Sequence, residues 1–343
     1  MPPGTTGAPL LELDNLSCHY VSAQGTRIVR AVDEVSLRLN AGETLGIVGE
    51  SGSGKSTLAL TIMRVLPPAA RIVAGRMLFE GEDLVQKSDA EMQQIRGKRI
   101  AMILQDPMVS LNPLFTIGDQ VAEPIRVHDG ASRASAWSRA CDLLRAVRIP
   151  APETRLKQYP HEMSGGMRQR IVGAIGISCE PRLLIADEPT TSLDLTIQAQ
   201  YLKLLRDLQQ AHGLALIFIT HNLGIVAKMC DQLAVMYAGR VVESGPVSRV
   251  FNAPAHPYTR ALLNSIPRMG DPDQRLVAID GQPPDLSALP PGCSFSPRCP
   301  QVMPRCRDAA PPRFAPEEGR TARCWLAEPL AVGTDFRVAS GAV

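Results

Sequence analysis

Apolar and polar residues alternate over Leu11-Glu12-Leu13 and Val35-Ser36-Leu37-Arg38-Leu39, the period of half-buried antiparallel strands. Asn40-Ala41-Gly42-Glu43 reads as a turn. It leads into Thr44-Leu45-Gly46-Ile47-Val48, a short apolar run of the kind a buried parallel strand shows. Leu58 to Leu66 is apolar and helix-compatible, and Pro67-Pro68 ends it. Arg76 to Phe79 is a further short strand, and Lys98 to Leu104 is an apolar run that ends in Gln105-Asp106-Pro107. From about residue 107 to 178 strands are hard to find. Ser132 to Val147 has helical spacing, with Trp137, Ala140, Cys141, Leu144 and Val147 on one side. This stretch reads as an inserted helical subdomain, and it closes with the apolar helix Ile171 to Ser178.

Strand and helix then alternate. Arg182 to Glu188 is an apolar strand, Thr196 to Gln210 a helix, and Leu214 to Ile219 an almost wholly apolar strand. That alternation predicts an α/β fold, a parallel sheet with helices on both faces. Past about Gly245 the periodicity fades. Residues 281–343 hold eleven prolines, so long helices are not expected there. Two units result: residues 10–250, and a Cys- and Pro-rich C-terminal extension over 251–343.

At 343 residues, 45% apolar and 20% charged, the chain has the composition of a globular protein with a sizeable core. A formal charge of +2 gives no support for a general attraction to nucleic acid or anionic lipid. No apolar run approaches the roughly 18 residues of a membrane span. Met1 to Pro9 lacks the basic and apolar regions of a secretory signal. A cytosolic protein is expected, able to dock on a membrane partner.

Two stretches carry chemistry. Gly49-Glu50-Ser51-Gly52-Ser53-Gly54-Lys55-Ser56-Thr57 follows the pattern G-x-x-x-x-G-K-S/T between a strand and a helix. Gly49, Gly52 and Gly54 allow the backbone to wrap an anion. The loop N–H groups and the helix N-terminus bind phosphate oxygens. Lys55 is placed to reach the β- and γ-phosphates, and Ser56 to offer its hydroxyl to Mg²⁺. Ser51, Ser53 and Thr57 complete the candidate set. The second stretch is the pair Asp187-Glu188 at a strand end. Asp187 would hold Mg²⁺, and Glu188 would orient and polarise an attacking water.

In order, the phosphate loop, Gln105, Ser164-Gly165-Gly166, Asp187-Glu188, Ser192-Leu193-Asp194 and His221 resemble an ABC-transporter ATPase subunit over roughly residues 10–250. The resemblance implies a P-loop ATPase fold of ABC type: a mixed sheet core, a small antiparallel β part and the helical subdomain. It implies ATP and Mg²⁺ as ligands and position-by-position roles. Gln105 contacts Mg²⁺ and the catalytic water and relays to the membrane partner. Ser164, Gly165 and Gly166 bind the γ-phosphate of ATP held by a second ATPase subunit. Asp194 lies in the loop that crosses the dimer interface, and His221 sits near the γ-phosphate. Tyr20 is the aromatic candidate for stacking on adenine, with a core tyrosine on a strand as the alternative.

One departure is Met167, where the commonest family form has glutamine. Gln105 to Pro113, Met163 to Arg170, Ala186 to Asp194 and His256 to Leu263 are similar to the dipeptide and oligopeptide branch, which has nickel and glutathione relatives. Met167 resembles the first of the two non-identical ATPase subunits such systems carry. The implied partners are a second ATPase, two permease subunits and, indirectly, an extracytoplasmic substrate-binding protein, with the chain peripheral on the cytoplasmic face of the membrane. Pro107 to Pro124 is the segment expected to meet the permease. Two other classes are weighed. A soluble ABC ATPase acting on DNA or ribosomes is disfavoured by the single phosphate loop and the lack of sustained heptads. A non-catalytic regulatory subunit is disfavoured by the presence of Glu188 and His221.

Of eight cysteines, Cys18, Cys141, Cys179 and Cys230 lie scattered in apolar or helical surroundings and read as small buried hydrophobes. The other four form Cys293-x5-Cys299-x6-Cys306-x17-Cys324. Disulfides are disfavoured without a secretion signal. Zinc sites usually show tight Cys pairs, absent here. An iron–sulfur cluster takes four cysteines at looser spacing, and unligated thiols remain open. Peptide-permease ATPases carry a similar pattern that can hold a [4Fe–4S] cluster. The expectation is therefore a metal staple for a proline-rich tail with little apolar surface of its own, a [4Fe–4S] cluster first and zinc second.

Overall fold

The computed structural model describes residues 8–191, 193–266 and 278–328. Ser192 and the residues beyond 328 lie outside them. The strands are β1 (Leu11–Val21), β2 (Ile28–Leu39), β3 (Thr44–Val48), β4 (Ala70–Phe79), β5 (Glu82–Asp83), β6 (Ile100–Ile103), β7 (Leu183–Asp187), β8 (Ala215–Ile219), β9 (Gln232–Tyr237), β10 (Arg240–Pro246), β11 (Phe314–Glu317) and β12 (Arg320–Ala322).

They form two sheets. The larger runs β11-β12-β10-β9-β3-β8-β7-β6. Its five strands from β9 to β6 pair in parallel, and β10, β12 and β11 add on in antiparallel fashion. All residues of β3, β7 and β8 are buried, which is why these strands read as unbroken apolar runs. The smaller sheet, β2-β1-β4-β5, is antiparallel. Between the sheets lies helix Lys55–Met63, with Leu58 and Ile62 fully buried in a core shared with Leu16, Met77 and Phe79 of one sheet and Ile47 and Ile217 of the other.

Helices Ile117–Asp129, Arg133–Ala146 and Gly165–Ile177 fill the stretch without strands, and Ile125, Leu144 and Ile171 are fully buried in a second core. Ser132 caps the middle helix by accepting from the Ser135 N–H. Helix Lys55–Met63 starts and ends three residues before the expected bounds: Arg64 turns the chain at φ 50°, ahead of the prolines. Among the described residues the faded region past Gly245 holds three short α-helices, Val247–Asn252, Pro257–Asn264 and Pro304–Asp308. The hairpin β9–β10 was not expected from the pattern; β9 is buried at every residue but its first and so lacks alternation.

The metal staple is corrected by the structure. Among the described residues no group of three or more His, Cys, Asp or Glu side chains could hold a metal ion. Cys293, Cys299, Cys306 and Cys324 instead line an apolar cavity of about 10 Å³, at the lower limit for one water molecule. All eight cysteines are free, and burial pushes the Cys293 thiol up to about 11, so it remains a neutral, apolar group. Neither the iron–sulfur cluster nor zinc has a site here.

The tail is held by other means. Phe295, 1% exposed, packs with Tyr237 and Tyr258 at ring separations of 5.3 and 5.4 Å. β12 pairs with β10, and the fully buried Glu243 accepts from Arg320 at 2.7 Å. Tyr237 belongs to a strand of the main sheet, so the apolar surface that the tail lacks is supplied by its neighbour.

Candidate functional site

Parallel pairing brings the ends of β3, β7 and β8 together. Asp187 sits opposite Ile219 in the ladder, the Thr220 N–H donates to Ile47 O at 3.2 Å, and the Glu188 N–H donates to Ile219 O at 2.9 Å. The phosphate loop, the two carboxylates and His221 therefore emerge side by side at the C-terminal ends of neighbouring parallel strands, where α/β folds place ligands.

In the loop, Gly54 has φ 104°, and a Cβ there would meet Ala31 O at 2.1 Å, so only glycine fits. Gly54 begins helix Lys55–Met63 without a side-chain cap, which leaves its first N–H groups for a ligand. Lys55 is buried, and its Nζ donates to Gly49 O at 2.8 Å and Glu50 O at 2.9 Å. Burial lowers its pKa, opposed by the carboxylates of Glu188, Asp187 and Glu50.

Asp187 is 5% exposed, and its Oδ1 has no hydrogen-bond partner. Burial raises its pKa, and the Ser56 hydroxyl pulls it back. A buried carboxylate oxygen without a partner next to a hydroxyl fits a hard cation such as Mg²⁺. Glu188 gathers three neighbours on one oxygen, Oε2: Thr191 Oγ1 donates at 2.9 Å, Gln105 Nε2 at 3.4 Å, and His221 Nδ1 lies at 3.3 Å. Tyr20 on β1 is half-buried, and its hydroxyl lies 3.4 Å from Thr57 Oγ1.

One cavity of about 520 Å³ connects these groups, lined by Tyr20, Ser51 to Thr57 apart from Ser53, Gln105, Glu188 and His221. Its volume is that of a nucleotide-sized pocket. Gly49 and Ser53 support the loop from behind. A Cβ on Gly49 would meet Met236 O at 2.2 Å, and Ser53 is buried.

Four candidates are placed elsewhere. Ser164 caps helix Gly165–Ile177 by accepting from the Met167 N–H, and Gly165 and Gly166 form its first turn. Asp194 caps helix Leu195–His212 by accepting from the N–H groups of Thr196 and Ile197. These two helix starts abut, since a Cβ on Gly166 would lie 2.9 Å from Ile197. None of the four lines the cavity. Three contributors were missed from sequence, and one of them, Ala31, lines the cavity as a small apolar residue on β2. Thr191 was visible only as part of the Pro189-Thr190-Thr191 run. Leu286, which lines the cavity from far along the chain, gave no signal.

Residues 32–191 match the ABC transporter family, and residues 242–306 match the oligopeptide/dipeptide transporter C-terminal region. The chain is 48% identical to the dipeptide transport ATP-binding protein DppD of Bacillus subtilis, over 94% of this chain and 96% of that protein. It is 46% identical to the oligopeptide transport ATP-binding protein OppD of Haemophilus influenzae, over 93% of this chain and 97% of the relative. The chain belongs to the dipeptide/oligopeptide ABC-transporter ATP-binding family. Solved structures of ABC cassettes agree. One, a dimeric cassette in a post-hydrolysis state bound to ADP and phosphate, superposes with a TM-score of 0.62 at 26% identity, covering 69% of this chain and 98% of its own. Another, cbiO1 of Clostridium perfringens, part of an ABC transporter complex, gives 0.61 at 28% identity over 72% of this chain and 92% of that one. The chain thus has the ABC ATPase fold over the part these structures cover.

Proposed function

We propose that this chain is the ATP-binding and ATP-hydrolysing subunit of an ABC importer for di- and oligopeptides. The observation that carries the reading is the convergence of Thr191, Gln105 and His221 on Glu188 Oε2 at one end of a cavity floored by the Lys55 loop.

The loop N–H groups and Lys55 bind the phosphates of ATP. Asp187 and Ser56, with Gln105, would hold Mg²⁺, which would supply charge neutralisation at the phosphates. Glu188 orients and polarises the attacking water and accepts its proton as the water oxygen bonds to the γ-phosphorus and the bond to the leaving ADP oxygen breaks. His221 and Gln105 fix the rotamer of that carboxylate. Tyr20 offers a ring to adenine.

Ser164, Gly165 and Gly166 serve a nucleotide in a second ATPase subunit, and Asp194 lies at the same interface. Their position outside the chain's own cavity supports this, as does the 82% exposure of Leu195 beside them. The second ATPase is read as a non-identical chain. Two permease subunits complete the assembly, and the 107–124 segment meets a coupling helix from the permease; Val109, Leu114 and Phe115 there expose 78%, 81% and 54% of their surface. An extracytoplasmic binding protein delivers the peptide. Among the described residues no helix is long and apolar enough to cross a membrane, in keeping with a peripheral subunit at the cytoplasmic face. The ATPase unit spans residues 10–250, and residues 251–343 form the C-terminal extension.

The test is reconstitution with the permease pair and the second ATPase in vesicles, with uptake of a labelled dipeptide read against ATP consumption. ATP-dependent uptake that Lys55→Ala abolishes is the expected result. ATP consumption without peptide uptake would remove the peptide assignment.

A further inference from the structure

The C-terminal segment reaches back to the nucleotide cavity. Arg298, with its side chain 4% exposed, donates from Nη1 to Glu50 Oε2 at 2.7 Å and from Nη2 to Glu50 Oε1 at 3.0 Å, a two-pronged pairing. Tyr258 Oη accepts from the Glu50 N–H at 2.9 Å. Glu50 is the second residue of the phosphate loop, and its carbonyl accepts from Lys55. Arg298 is itself fixed, since Nε donates to Asp280 O at 2.9 Å and Nη1 to Tyr237 Oη at 3.3 Å. Leu286 lines the same cavity. It is tied down on both sides: the Arg30 N–H donates to Leu286 O at 3.1 Å, and Arg27 pairs with Asp285 at 3.0 Å and donates to Ser287 at 3.1 Å.

We propose that this segment completes the nucleotide site in cis, Arg298 as a positioning residue that sets the phosphate loop through Glu50, and Leu286 as an apolar wall for the base. The inference rests on the nucleotide-binding reading above. A phosphate loop binds only when its N–H groups converge, so a loop held beforehand in one conformation binds more tightly than one that must be ordered by the ligand. Here the backbone and both carboxylate oxygens of Glu50 are engaged by residues from the far end of the chain. Leu286 joins Tyr20 and Ala31 as apolar surface in a cavity whose remaining lining is mostly polar, and a purine ring needs such surface to leave water.

The experiment titrates the full chain with MgATP and with magnesium tripolyphosphate by calorimetry, with melting temperatures in parallel. Tripolyphosphate tests the loop alone; ATP tests the loop and the base wall. Arg298→Ala is expected to weaken both ligands about tenfold. Arg298→Lys keeps the charge but loses the fork, and is expected to fall between; it decides the matter if the alanine variant does not fold. Leu286→Ala is expected to weaken MgATP about fivefold and leave tripolyphosphate unchanged. Arginine variants that melt earlier but bind both ligands as wild type does would reduce Arg298 to a tether for the tail and overturn its positioning role. A Leu286→Ala variant that weakens both ligands equally would overturn the base wall. Wild-type protein that binds neither ligand would overturn the nucleotide reading and this inference with it.

Discussion

Oε2 of Glu188 is the point at which the site becomes chemical, because three side chains from three loops meet on it. Glu188 was legible in sequence through its place after an apolar strand, and Gln105 and His221 through their order along the chain. Thr191 was not, because a threonine in a polar loop has no pattern that sets it apart. At the same scale His256 carries a pH prediction. It is buried, and burial lowers its pKa to about 3 from an ordinary value near 6.5. As pH falls through about 6.5 the unfolded chain takes up a proton that the folded one refuses until about 3, so stability falls with pH in that window. The slope from this one group approaches 1.4 kcal/mol per pH unit, as an order-of-magnitude figure of about that size. His256 Nδ1 also accepts from the Tyr258 N–H at the start of a helix, a role asparagine can take over. Urea midpoints between pH 7.5 and 5 should therefore fall less steeply for His256→Asn than for wild type. Equal slopes would mean that the buried imidazole does not control acid sensitivity.

Elements with strong local signals were read correctly. β3, β7 and β8 declared themselves as short apolar runs, and helix Arg133–Ala146 by its spacing. Ends were less legible: helix Lys55–Met63 begins inside the phosphate loop because Gly54 turns the chain there. The tail was misjudged because its stability was sought within its own sequence. Four cysteines at loose spacing fit a metal cluster on paper. In the fold they share a small apolar cavity, and aromatic packing with β9 holds the segment. Phe295 is the centre of that packing, so Phe295→Ala should cost about 3 kcal/mol or more in urea unfolding. Exhaustive chelation of iron and zinc should leave the same unfolding curve in place. A chelator-sensitive curve with an indifferent Phe295→Ala variant would restore the metal staple.

At the scale of the whole molecule the candidate residues read from sequence lie in two places. The cavity holds the phosphate loop and Glu188. Ser164 and Asp194 sit at two abutting helix starts outside it. Sequence order alone gave the parts without their separation, since that depends on how the helical stretch folds back beside the sheet. The reach of Leu286 and Arg298 into the cavity was invisible for the same reason: contacts more than two hundred residues apart in the chain leave no local pattern. In the proposed function this separation lets the protein bind ATP on its own surface and complete the site with a partner, and Glu188 carries hydrolysis. The direct measurement is ATP affinity and peptide-coupled ATP turnover of the assembled transporter with Glu188→Gln. The account predicts affinity within about threefold of wild type and turnover reduced at least about tenfold. Unchanged turnover in that variant would contradict it.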